Sequence, residues 1–136
     1  FFYERLKVGV ETRGNGFLRD KIIFTGELTD EQLSCLYKNA KAYVFPSLME
    51  GFGLPPLEAQ SRGCPVVSSN SSCLPEILGD SAVYFDPGDI YEMAVKIEAV
   101  LDDKTLRDDL IRKGHENVKK YSWEDCAKKT LMIYLS

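Results

Sequence analysis

Glu50-Gly51-Phe52-Gly53-Leu54-Pro55-Pro56-Leu57-Glu58-Ala59 is the stretch on which the fold of this chain turns, two carboxylates bracketing a Gly-Phe-Gly turn and a double proline. The apolar run Tyr43-Val44-Phe45 precedes it, so the local reading is strand, glycine loop, helix. Gly51 and Gly53 permit positive φ and let a ligand approach the backbone, while Pro55 or Pro56 suits a first helical position that needs no amide hydrogen. The free amides of Phe52, Gly53 and Leu54 then point outward beside the positive end of the helix dipole. That arrangement makes a phosphate site with an acid at either end. Taken singly, each residue has a plainer role. Glu58 could be an acid favoured in the first turn of a helix, Glu50 a solvated loop acid, and the glycines parts of a tight turn.

Working outward, the chain alternates strand and helix. A helix is expected over 2–10, with Phe2, Leu6 and Val10 on one face and no cap at its start, followed by a loop at 12–16. Ile22 to Thr25 reads as a short buried strand ended by Gly26. Thr29-Asp30-Glu31-Gln32 is a capping box opening a helix with Leu33, Leu36, Tyr37 and Ala40 on one face. Ala42 to Phe45 is the second strand, 55–62 a helix stopped by Gly63, and Pro65 to Ser68 the third strand. Ser68 to Ser72 has the composition of a flexible linker, but its place at the carboxyl end of that strand, before a short helix opened by Pro75-Glu76, favours an active-site loop. Ala82 to Phe85 is the fourth strand. Asp89 and Glu92 cap a helix to about Leu101, another covers about 105–120, and Ser122 caps a last one from Trp123 to Leu135. Tyr121 and Trp123 are expected to pack among the last helices.

This order predicts an α/β fold, a Rossmann-like doubly wound parallel sheet with at least four strands visible and ligands bound at the carboxyl ends of the strands. A chain of 136 residues has room for one core. Its net charge of −4 gives no bulk attraction for nucleic acid or an anionic membrane. The 4 cysteines form no C-x-x-C pair and read as reduced thiols of a cytosolic protein. The 1 histidine, His115, lies among charged residues, which argues against a zinc site or a histidine base.

The stretch from Glu50 to Ala59 resembles the donor-binding signature of retaining glycosyltransferases of GT-B architecture, the large family 4 in particular. Phe24-Thr25-Gly26, Pro46-Ser47, Gly63-Cys64-Pro65-Val66-Val67, Pro75-Glu76 and Tyr121-Ser122-Trp123 fit the same resemblance, which spans roughly 21–136. It implies that residues 1–136 are the C-terminal, donor-binding half of a GT-B enzyme. This half is expected to be incomplete at its start, lacking the Arg and Lys that clamp the diphosphate and a separate acceptor-binding domain, and to be inactive alone. It also implies transfer of a hexose, such as mannose or glucose, from a GDP-, UDP- or ADP-sugar to a glycan, lipid or small-molecule acceptor, with retention at the anomeric carbon and without a metal or other cofactor.

Within the resemblance Glu50 holds hydroxyls of the transferred sugar as the catalytic residue. Gly51, Phe52, Gly53 and Leu54 form the diphosphate loop, Glu58 binds the ribose, and Leu28 contacts the base. The location implied is cytoplasmic, with peripheral membrane contact through the absent domain. Two alternatives stay open: a non-catalytic subunit that binds a nucleotide sugar, and a sugar-nucleotide epimerase of GT-B shape. A dinucleotide oxidoreductase is disfavoured by the lack of a G-x-G-x-x-G after any strand, and a glycosidase by the helical turn between Glu50 and Glu58.

Overall fold

The computed structural model describes residues 21–135, and the chain divides into two compact units, Phe1–Asp30 and Glu31–Ser136. The helix expected over 2–10 and the loop at 12–16 lie outside the described residues. The strand expected at Ile22 to Thr25 is not formed. That segment is irregular chain outside the sheet, with Ile22 and Ile23 exposed. A short apolar run becomes a strand only where a neighbouring strand offers its ladder, and the sheet among the described residues has three members, not four.

Those members are β1 (Tyr43–Phe45), β2 (Val66–Ser69) and β3 (Ala82–Phe85), in the order β1-β2-β3. All pairs are parallel, with Tyr43 opposite Val66 and Phe45 opposite Ser68, then Val66 opposite Ala82 and Ser69 opposite Phe85. Parallel neighbours need crossovers, and helices supply them. α1 (Asp30–Asn39) leads into β1, α2 (Leu54–Ser61) connects β1 to β2, and α3 (Leu74–Leu78) with a 3₁₀ turn at Gly79–Ser81 connects β2 to β3. α4 (Ile90–Asp102), α5 (Lys104–Val118) and α6 (Trp123–Leu135) complete the chain.

The two-residue period of the strands divides the core into two layers. Val66 and Ala82 face one side, where Leu57 and Ala59 of α2, Ile77 and Leu78 of α3, and Tyr37 of α1 cover them, with Tyr43 packed alongside. Val67 and Phe85 face the other side, against Val100 of α4 and Leu110 of α5, with Val44 and Val83 alongside. α5 joins both layers, since Leu110 lies in the second cluster and Val118 packs on the first. Central β2 is buried along its whole length, which is why it reads as an unbroken run without alternation.

Polar groups close the helix ends. Asp89 Oδ1 accepts from the amides of Tyr91 at 3.0 Å and Glu92 at 2.9 Å, the cap that the sequence predicts, whereas Glu92 Oε2 accepts from Asp86 N at 2.7 Å in the turn before the helix. Arg107 of α5 donates to the carbonyls of Val100 and Leu101, satisfying the end of α4. Between α2 and α5 lies a buried amide network. Gln60 Nε2 donates to Ser81 Oγ at 2.7 Å and Ser81 O at 3.1 Å, and Asn117 Nδ2 donates to Gln60 Oε1 and to Ile77 O, each at 3.1 Å. Gly114 admits it, because a Cβ there would lie 3.1 Å from Gln60 Cγ.

Asn117→Ala removes the donor to Gln60 Oε1 inside the core. It should destabilise the protein by about 2 kcal/mol in urea unfolding, with a larger loss for Asn117→Asp, which buries a charge. A second expectation concerns pH. Burial pushes the Cys64 thiol from its ordinary value of 9.0 up to about 11. The unfolded chain therefore releases this proton near pH 9 while the folded chain keeps it until about pH 11, so its contribution to stability falls across that window and is constant below it. Cys64→Ala should lower stability at neutral pH through lost packing, yet flatten the decline between pH 9 and 11 in thermal melts followed by circular dichroism.

Candidate functional site

The loops at 46–53 and 70–73 leave the carboxyl ends of β1 and β2, which parallel pairing brings side by side. Gly53 is the N-cap of α2 in the left-handed region, φ 97°. The left-handed φ favours glycine here, and a Cβ would lie 2.8 Å from Leu74 Cδ2, so that any larger residue would also have to displace the Leu74 side chain. The helix begins at Leu54, one residue earlier than its sequence predicts. Pro55 and Pro56 then occupy the next two positions and carry no N–H, so the donors at this helix end are the amides of Gly53 and Leu54, which no side chain caps.

Glu50 is half-buried and held at both its carboxylate and its backbone. Ser47 Oγ donates to Glu50 Oε1 at 2.8 Å. The Glu50 carbonyl accepts from Ser72 Oγ at 2.9 Å and from Cys73 Sγ at 3.3 Å, and Cys73 Sγ also lies 3.4 Å from Phe52 O. Ser47 is anchored in turn, its carbonyl accepting from Ser69 Oγ at 2.5 Å. Ser72 sits at φ 57°, a conformation uncommon outside glycine. The serine loop thus lies against the glycine loop, where its place at a strand's carboxyl end predicts it.

Glu58 projects from α2 into solvent. Burial raises the Tyr37 phenol above its ordinary range, with the Glu58 charge second. Tyr43 is raised further, first by burial, then by Tyr37, with smaller contributions from Glu58 and Glu50, so both carboxylates act on this one phenol. Tyr37 meets Tyr43 edge-on at 5.3 Å, and Tyr43 stacks with Phe45 at 6.0 Å. Phe52 is 40 % exposed and meets Tyr121 edge-on at 5.5 Å. Tyr121 packs as predicted, with its hydroxyl donating to Ile77 O at 2.8 Å. Trp123 does not. It is 77 % exposed, because no residue of α6 is buried among the described residues.

Glu50, Gly51, Phe52, Gly53, Leu54 and Glu58 therefore stand on one loop and helix beside paired strand ends. Leu28 belongs to the other unit. Sequence reasoning missed Ser47, Ser72, Cys73 and Tyr43. Ser47 left a faint signal, a hydroxyl three residues before the acid, whereas the reach of Ser72 and Cys73 across 22 and 23 positions left none. Among the described residues no group of three His, Cys, Asp or Glu side chains could hold a metal ion, and no helix is long and apolar enough to cross a membrane. Chemically, the site offers main-chain donors to an anion and carboxylates to hydroxyl groups.

The chain is similar to known proteins. Residues 11–117 match the family described as glycosyl transferases group 1. The chain is 42% identical over 113 residues to the O-antigen chain mannosyltransferase B of Escherichia coli, covering 83% of this chain and 30% of that protein. It is 41% identical over 112 residues to the serotype-specific mannosyltransferase WbdA of the same organism, covering 82% of this chain and 14% of the relative. Among solved structures, sucrose-phosphate synthase from Thermosynechococcus elongatus superposes with a TM-score of 0.85 at 28% identity, covering 96% of this chain and 33% of that one. The chain thus spans about a third or less of the length of these three proteins. With a matching family signature, close mannosyltransferase relatives and a shared parallel α/β architecture, this chain belongs to the glycosyl transferases group 1, of GT-B fold.

Proposed function

We propose that residues 1–136 are the donor-binding domain of a retaining hexosyltransferase, which takes its sugar from a nucleoside diphosphate. The uncapped amides of Gly53 and Leu54 at the start of α2, flanked by Glu50 and Glu58, carry this reading. A diphosphate needs donors that cost no reorganisation, and main-chain amides fixed by a left-handed glycine and two prolines meet that need. Phe52 adds a third amide and Gly51 lets the ligand approach the chain. Glu58 receives the two hydroxyls of the ribose, and Glu50 holds the hydroxyls of the sugar. Mannose is the first candidate, because the relatives named above are mannosyltransferases. The base, guanine, uracil or adenine, goes with the sugar that the donor carries.

In this reaction the bond between the anomeric carbon and the diphosphate oxygen breaks. Positive charge develops on the sugar and negative charge on the leaving group, which the amides and the α2 dipole stabilise. The acceptor hydroxyl attacks the same face, and the departing phosphate oxygen takes its proton, which gives retention without a protein nucleophile. Neither a metal nor another cofactor enters these steps. The acceptor, a glycan, lipid or small molecule, is bound by another domain of the full protein, in the cytoplasm and at the membrane surface where the acceptor is lipid-linked.

Calorimetric titration of the full-length protein with GDP-mannose, UDP-glucose and ADP-glucose tests this. One donor should bind, and Glu58→Ala should weaken it by about 10–100-fold, the worth of hydrogen bonds to a charged acceptor. Absence of binding by all three donors would overturn the proposal, and turnover of a donor to a changed free sugar nucleotide without an acceptor would make the protein an epimerase.

A further inference from the structure

We propose that Ser47 is a positioning residue for Glu50, acting within a clamp that Ser69, Ser72 and Cys73 complete. The inference rests on the donor-site reading and adds to it the means by which the catalytic carboxylate is aimed. Ser47 has one hydroxyl proton and two acceptors in reach, Glu50 Oε1 at 2.8 Å and Met49 O at 3.3 Å. The shorter contact, to a charged oxygen, takes the proton. Oε1 is thereby fixed, while Oε2 has no hydrogen-bond partner among the described residues and is left to meet a substrate hydroxyl.

The hydroxyl is itself aimed. Ser69, fully buried at the end of β2, donates to the Ser47 carbonyl at 2.5 Å and so ties the loop after β1 to the next strand. On the far side, Ser72 Oγ and Cys73 Sγ both reach the Glu50 carbonyl, at 2.9 Å and 3.3 Å. Ser72 holds φ 57° to do so, the one non-glycine residue in the left-handed region among the described residues. A strained backbone retained beside a carboxylate fits a residue kept for its grip on that loop. Glu50 holds the sugar whose anomeric carbon reacts, and a misplacement of about 1 Å at the reacting centre costs on the order of 100-fold in rate, so a loosened carboxylate lowers turnover.

The test uses the full-length protein and the GDP-, UDP- or ADP-hexose that it turns over, read as nucleoside diphosphate released. Ser47→Ala should lower kcat about tenfold with the donor KM within about twofold, and Ser47→Thr, which restores the hydroxyl, should recover most of the loss. In a Glu50→Ala background Ser47→Ala should have no further effect, since the carboxylate it aims is gone. Ser72→Gly suits φ 57° better than serine, so it should keep the melting temperature and still lower kcat; it decides the question in the same way if Ser47→Ala does not fold. Wild-type kcat in Ser47→Ala and Ser72→Gly, or losses that multiply with that of Glu50→Ala, would overturn the inference and leave the donor site standing. Wild-type turnover by Glu50→Ala itself would overturn the donor-site role of Glu50 and the inference together.

Discussion

Parallel, in-register pairing of β1, β2 and β3 is the constraint on which the other features depend. Parallel strands cannot be joined by tight turns, so each connection becomes a helix laid on a face of the sheet, and each face acquires its own apolar layer. The same pairing aligns the strands' carboxyl ends. Loops 22 positions apart in sequence therefore meet, and Ser72 reaches the Glu50 carbonyl. A slip of one residue between β1 and β2 would turn Tyr43 from the α2 layer to the α4 layer and carry the glycine loop away from the serine loop.

Stability and chemistry draw on the same helix in different ways. The interior end of α2 is fully satisfied, with Gln60 bonded to Ser81 and Asn117 inside the core. Its opposite end is left open, with a left-handed glycine, two prolines and no cap. Buried amides without partners would be costly, so such an end persists where solvent or a ligand can complete it. The prolines remove two of the orphan donors and confine the remainder to Gly53 and Leu54. The carboxylates differ in the same sense: Glu58 stands in solvent, whereas Glu50 is half-buried and hydrogen-bonded.

Much of this was legible from local pattern. Strand, glycine loop and helix around Glu50 to Glu58, the caps at Asp89 and Ser122, and the stop at Gly63 all depend on contacts within a few residues, and each forms. The failures were those of distant partners. Ile22 to Thr25 has strand composition, yet pairing is a property of two segments, and this one stands outside the sheet. Trp123 has the composition of a core residue, but burial requires an opposing surface, which the described residues do not supply.

What the sequence determined by itself is the strand, glycine loop and helix around Glu50 to Glu58 and the family of the chain, because the loop's glycines, prolines and acids act through the backbone conformations and charges of adjacent residues. What only the tertiary structure decided is how the acid is held. Ser47, Ser69, Ser72 and Cys73 are unremarkable as residue types. They become a clamp because two parallel strands end side by side, within reach of hydrogen bonds that no local spacing encodes.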